Sequence, residues 1–134
     1  MVRLGASFAK ITIDGVRVRA GAAALDSQVA RTAARAGVAG LEFYRGVPGT
    51  IGGALAMNAG AYEQETKDAL VEAVAYDRSG ARHVVKNAEM KFAYRHCGVG
   101  EGLIFTQALF KGRPDDPAAI EARMAAIMER REKS

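Results

Sequence analysis

Eight consecutive residues, Gly46-Val47-Pro48-Gly49-Thr50-Ile51-Gly52-Gly53, combine what an anion site made of backbone requires. Glycine permits positive φ and lets main chain approach a ligand closely. Successive N–H groups then become available to a phosphate, most effectively where the loop opens a helix. The run continues as Ala54-Leu55-Ala56-Met57-Asn58-Ala59-Gly60, and none of these fifteen residues is charged. The expected geometry is a phosphate-cradling turn over 46–53, running into a short buried helix over 50–57 whose N-terminus faces the ligand. The same composition also suits a tight loop packed into the core, with glycine wherever a side chain will not fit. Short motifs of this kind match by chance often enough to keep both readings open.

Other residues capable of chemistry are sparser. Arg95 stands in Tyr94-Arg95-His96-Cys97, and its planar guanidinium is suited to holding a carboxylate through two parallel hydrogen bonds. By position alone a surface or salt-bridged role fits Arg95 as well. Tyr94 can orient that arginine, flank a substrate or serve as a half-buried aromatic. The amide of Asn58 donates and accepts together, which serves a ligand edge or a turn bonded to its own backbone. Arg45, just before the glycine run, can meet a pyrophosphate or form a surface ion pair. His83, His96 and Cys97 lack metal-ligand spacing, so no metal is expected. The absence of Gly-Lys-Ser/Thr excludes a nucleoside-triphosphate P-loop, and Gly98-Val99-Gly100-Glu101-Gly102 lacks the strand–helix context of a dinucleotide fingerprint.

The elements that must position these residues read as α+β. Phe8, Ile11 and Ile13 lead to Asp14-Gly15, after which Val16, Val18 and Ala20 alternate with Arg17 and Arg19, the pattern of a hairpin with its arginines toward water. A helix over 23–36 carries Leu25, Val29 and Ala33 on one stripe and stops at Gly37. Residues 63–67 are polar and expected to be exposed. A second hairpin joins 71–77 to 81–86 across Arg78-Ser79-Gly80, and Asn87 begins a short turn through Met90. Residues 103–110 form a long apolar strand, expected to be central. A last helix starts near Pro117, where proline costs little, and its stripe of Ile120, Met124, Ile127 and Met128 is core or interface.

Bulk properties fit one domain. The chain has 134 residues, 49% hydrophobic and 25% charged, with net charge +4 and an isoelectric point near 9.5. Scattered arginines argue for a solvated surface, so no nucleic-acid partner is expected. No apolar run is long enough for a membrane span and no signal pattern opens the chain, so no membrane partner is expected either. A single cysteine, Cys97, excludes an internal disulfide and suits a cytoplasmic location.

Residues 40–62, GLEFYRGVPGTIGGALAMNAGAY, resemble the flavin-binding core of the UDP-N-acetylenolpyruvoylglucosamine reductases. Phe92-Ala93-Tyr94-Arg95 is similar to that family's F-x-Y-R, and like it precedes a β-rich run. The resemblance implies the second subdomain of an FAD-binding fold of the PCMH/MurB type, with a mixed or antiparallel sheet and flanking helices. It implies FAD held by Gly46, Val47, Pro48, Gly49, Thr50, Ile51, Gly52, Gly53, Asn58 and Ala59, with Ile104 against the flavin ring. It implies Arg95 as the catalytic arginine at the enolpyruvyl carboxylate, with Tyr94 and Arg95 binding substrate. It further implies NADPH as electron donor, although no motif for it is visible, and reduction of UDP-N-acetylglucosamine enolpyruvate to UDP-N-acetylmuramate for peptidoglycan. Another flavin oxidoreductase of the same fold, or a non-catalytic module binding anions or nucleic acid, are the alternatives. Cys97 and Glu63 depart from the family pattern, in which serine and glycine are usual. The family's first flavin loop and its C-terminal substrate domain find no counterpart, so residues 1–134 are expected to be a single FAD-binding fragment, inactive alone.

Overall fold

The computed structural model describes residues 6–61, 64–90, 92–93, 96–97 and 103–133, with side chains for 8–60, 64–90 and 103–130. After a 3-10 turn at Ala6–Ala9 come β1 (Ile11–Asp14), β2 (Arg17–Gly21), α1 (Asp26–Arg35), β3 (Val38–Ala39) and a second 3-10 turn, Glu42–Gly46. Then follow α2 (Ile51–Met57), β4 (Gly60–Ala61), β5 (Gln64–Glu65), α3 (Thr66–Ala69), β6 (Leu70–Tyr76), β7 (Arg82–Lys86) and a third 3-10 turn, Asn87–Met90. The chain continues with β8 (Phe92–Ala93), β9 (His96–Cys97), β10 (Ile104–Lys111), β11 (Arg113–Pro114) and α4 (Pro117–Lys133). The α+β class holds. The main sheet runs β1-β2-β10-β6-β7 with every neighbour antiparallel, and the long apolar strand is its centre, as its composition requires.

Alternation along β2 sends Val18 and Ala20 into the core and Arg17 and Arg19 to solvent. In register, Ala108 of β10 lies between Ala20 and Ala73, and Phe110 pairs with Val18. These small residues leave room for aromatic rings against the sheet. Tyr44 meets Phe110 edge-on at 5.7 Å between centroids and Phe43 at 4.3 Å. Both rings of the Glu42–Gly46 turn are fully buried, so the segment entering the glycine run is anchored in the core. No helix among the described residues is long and apolar enough to cross a membrane.

Several boundaries differ from the sequence reading. The first hairpin turns at Gly15-Val16, not Asp14-Gly15: Asp14 pairs with Arg17, and Gly15 carries the positive φ of 62°. Phe8 belongs to the first 3-10 turn, outside the strand. Helix α1 begins at Asp26 because the preceding backbone is engaged elsewhere. The Ala22 N–H donates to Thr106 O, the Ala23 N–H to Phe8 O, and the Ala22 and Ala24 carbonyls accept from Gly52 and Ile51. Leu25 therefore leaves the apolar stripe and is 56% exposed. Gly37 ends the helix region as expected, at φ 75°. Helix α2 buries only Ile51, Ala54 and Leu55 and leaves Met57 exposed, so it is not buried all round. Thr66, expected at the surface, is fully buried. Asn87 starts its turn but donates from Nδ2 to the Lys67 and Leu70 carbonyls.

Candidate functional site

The glycine segment is held at two points and open between them. Val47 and Ile51 insert into the core, while Pro48, Gly49 and Gly53 are exposed and Thr50 and Gly52 half-buried. Thr50 is the N-cap of α2, its hydroxyl accepting weakly from the Gly53 N–H at 3.4 Å. The expected row of free donors is shorter than composition suggests. Ile51 N–H is spent on Ala24 O and Gly52 N–H on Ala22 O, each at 2.9 Å, because an isolated antiparallel bridge joins Leu25 to Thr50. The N–H groups of Gly49 and Thr50 have no partner among the described residues. Among the described residues the backbone donors left without a partner in this stretch are thus at 49–50.

The glycines have separable reasons. Gly49 has φ 109°, a conformation that side chains rarely adopt. A Cβ on Gly52 would come within 3.3 Å of the Ala22 carbonyl. Among the described residues Gly53 has neither constraint: it lies inside a helix, exposed, and the nearest described atom to an added Cβ is Thr50 Oγ1 at 3.8 Å. Glycine there costs helix stability of about 1 kcal/mol relative to alanine, with no compensation among the described residues. An open cradle that a Cβ would fill is what the close approach of a bound group requires.

Remote residues brace both ends. Before the loop, Glu42 is buried and accepts from Arg123 Nε at 2.8 Å and from the Gly40 N–H, while Arg123 also donates to Asp115 at 2.7 Å. Burial works to raise the Glu42 pKa, but the hydrogen bonds of Arg123 and of the Glu42 and Gly40 backbone outweigh it and hold the carboxyl below its usual range. Thr66 donates its hydroxyl proton to Ala59 O, so the Tyr44 hydroxyl is the donor in their 2.8 Å contact. Burial pushes the Tyr44 phenol well up. After the loop, Asn58 caps α2 in the left-handed conformation, at φ 46°. Its Nδ2 donates to Glu65 Oε2 at 2.9 Å and its Oδ1 accepts from the Lys67 N–H at 3.0 Å. Both ends of that buried amide thus contact protein.

Asp26 went unnoticed in the sequence. It is only 1% exposed, its backbone N–H donates to Gly49 O at 3.0 Å, and its Oδ2 lies 4.0 Å from the point where a Gly49 Cβ would stand. Its Oδ1 is buried without a partner among the described residues. Burial pushes its pKa up to about 7. The one available signal was an acidic residue in the first turn of a helix, a position that ordinarily reads as favourable charge and nothing more.

Other expected site residues fall in different places. Ile104 opens β10 on the sheet face away from the core, 41% exposed, in a groove with Tyr76, Thr106, Gln107 and the cations Lys10 and Arg82. Arg45 faces away from the glycine run and lines a cleft between α1 and α4 with Arg31 and Arg35. Tyr94 and Arg95 lie outside the described residues, as does Glu63. The strands flanking Tyr94 and Arg95 in sequence, β8 and β9, pair with each other, and β9 lies against α2.

Comparison with known proteins agrees with this arrangement. Residues 1–86 match the FAD binding domain family. The UDP-N-acetylenolpyruvoylglucosamine reductase of Phenylobacterium zucineum is 63% identical over 137 residues, covering all of this chain and 46% of that protein. The protein of the same name from Parvibaculum lavamentivorans is 59% identical over 98% of this chain and 43% of its own length. The crystal structure of UDP-N-acetylenolpyruvylglucosamine reductase (MurB) from Thermus caldophilus superposes with a TM-score of 0.88 at 34% identity, over 98% of this chain and 48% of that one. The chain spans about half the length of the curated relatives it matches. With a family match over residues 1–86, more than half its length, the chain belongs to the FAD-binding domain family.

Proposed function

We propose that this chain holds the FAD of a flavin-dependent reductase, with the pyrophosphate against Gly49, Thr50 and Gly53. The observation that carries the reading is Gly53, whose missing side chain has no steric or conformational reason among the described residues. The unpartnered donors at Gly49 and Thr50 supply the complementary polarity. Gly46, Val47, Pro48, Ile51 and Gly52 set the loop's path. Asn58 and Ala59 hold the far end of α2 through Glu65, Lys67 and Thr66, and Ile104 offers its exposed face to the ring.

For the whole protein, the names of the relatives support a UDP-N-acetylenolpyruvoylglucosamine reductase, and the sequence resemblance adds UDP-N-acetylmuramate as product, NADPH as donor and cytoplasmic peptidoglycan-precursor synthesis as setting. Bound FAD supplies the two-electron carrier between NADPH and the enolpyruvyl double bond. Arg95 is assigned to the enolpyruvyl carboxylate, where a fixed fork of donors meets growing negative charge. Such a donor contributes on the order of 3 kcal/mol to barrier lowering. Tyr94 is assigned to the same substrate edge.

The test is a titration of FAD with the purified chain, followed by quenching of flavin fluorescence. Saturable binding is expected, weakened by Gly53→Ala with the fold intact. Absence of binding by this chain and by the full-length protein would overturn the reading.

A further inference from the structure

We propose that Asp26 is the proton-holding partner of the anion corner: its carboxyl sits neutral behind Gly49, and a phosphate bound at Gly49 and Thr50 keeps the proton in place. This inference rests on the flavin-site reading above. It starts from a side chain that the fold itself leaves unexplained. A buried carboxylate is normally paired or hydrogen-bonded, since desolvating an unpaired charge is costly. Among the described residues Asp26 has neither compensation, because Oδ1 has no donor there and no described cation contacts the group.

The charged and titratable neighbours on the packed elements, among the described residues, are turned elsewhere. From the Glu42–Gly46 turn, Glu42 is taken by Arg123, and Arg45 faces the α1–α4 cleft with Arg31, Arg35, Glu121 and Glu129. Tyr44 is the titratable group on which the Asp26 charge registers, and its hydroxyl is already bonded to Thr66. Burial is the one cause that acts on Asp26 itself.

The connection to the ligand is geometric. Asp26 and Gly49 are tied by the N–H···O bond at 3.0 Å, and the Asp26 carboxyl occupies the side of Gly49 where a Cβ would point. A phosphate accepting from the Gly49 and Thr50 N–H groups would therefore stand a single residue's thickness from that carboxyl. Two like charges about 6 Å apart, in surroundings of effective dielectric about 20, weaken binding by one to two orders of magnitude. Binding and protonation of Asp26 are then linked. The ligand prefers the neutral acid, and the proton comes from solvent whenever the free protein starts ionised. The pyrophosphate of FAD does not itself titrate in this range, so a pH dependence there reports on the protein.

The experiment is a set of FAD titrations between pH 6 and 9, on the wild-type chain and on Asp26→Asn, alongside a carbon-13 NMR titration of the Asp26 carboxyl without ligand. Expected are a carboxyl midpoint near neutrality and an affinity that weakens about tenfold from pH 6.5 to 8.5. The Asp26→Asn variant should show a flat profile with high-pH affinity at or above wild type. A merely structural role for Asp26 would not produce that slope. A midpoint near 4, a flat wild-type profile, or the same slope in the variant would each overturn the role of Asp26 while leaving the flavin site standing. No FAD binding by either protein at any pH would remove both.

Discussion

Two aspartates at two turns follow opposite strategies. At the exposed β6–β7 hairpin, Asp77 satisfies its own turn. Its Oδ1 accepts from the Ser79 N–H, the Ser79 hydroxyl and the Ala81 N–H, and its Oδ2 meets His83 Nε2 at 2.7 Å. Hydrogen bonds from Ser79, then His83 and Ala81, hold its carboxyl well below the usual range. Beside the glycine run, Asp26 is buried, lacks a partner on Oδ1 and is pushed up to about 7. The first turn closes on itself, with both Asp77 carboxyl oxygens answered within six residues. The second is braced from a distance, through Glu42–Arg123 and Tyr44–Thr66, yet leaves two N–H groups and a carboxyl oxygen without a partner among the described residues. Remote contacts, not local ones, hold the second loop in shape.

The sharpest way to break this contrast is at Gly49. Gly49→Ala forces a side chain to φ 109° and should cost about 3 kcal/mol, read as a lower urea midpoint, together with loss of FAD binding. Asp26→Asn comes next. A carboxyl whose folded pKa is raised binds more protons folded than unfolded, so its contribution falls as pH rises from about 4 to about 7 and then levels. The difference in unfolding free energy between variant and wild type should shift by about 3 kcal/mol in favour of the variant between pH 4.5 and 8, measured by denaturation at the two pH values. A constant difference would deny that Asp26 is buried and neutral.

Arg123→Ala removes the cation over the buried Glu42 carboxyl and should lower stability by about 1 kcal/mol, with FAD affinity falling as the entry to the loop loosens. Gly53→Ala sharpens the comparison from the other side. It should raise stability by about 0.8 kcal/mol through helix propensity while weakening FAD, a divergence that separates ligand room from folding need. Smallest of all, Asp77→Asn should leave the FAD titration unchanged, because its hydrogen bonds end within its own hairpin. A change there would show that the two turns are not independent.

Much of the architecture was legible. Period-two alternation placed the first hairpin of the main sheet and the Arg78-Ser79-Gly80 turn the second, the uninterrupted apolar run marked β10 as central, and the stripe of Ile120 and Met124 marked the buried side of α4. Thr50 ahead of a small-residue helix was readable as the start of α2. What escaped were polar residues whose partners are distant. Glu42 and Arg123 stand 81 positions apart, and Tyr44 and Thr66 stand 22 apart. No periodicity links such pairs. Thr66 and Asp26 also sit in stretches whose polarity suggests solvent, and only the elements packed over them bury them.

The residues themselves determined where left-handed backbone and close approach are tolerated, at Gly15, Gly37 and Gly49, because glycine alone carries no Cβ. They also determined which segments alternate and which run apolar, since those patterns follow from the geometry of a single strand or helix. Which donors of the glycine run remain free was decided only in three dimensions. Pairing β2 beside β10 carries the chain after β2 across the loop, and the Ala22 and Ala24 carbonyls there take the N–H groups of Gly52 and Ile51. That crossing leaves Gly49 and Thr50 open and encloses Asp26 behind them, because a carboxyl's solvation depends on everything packed around it and not on its neighbours in the chain.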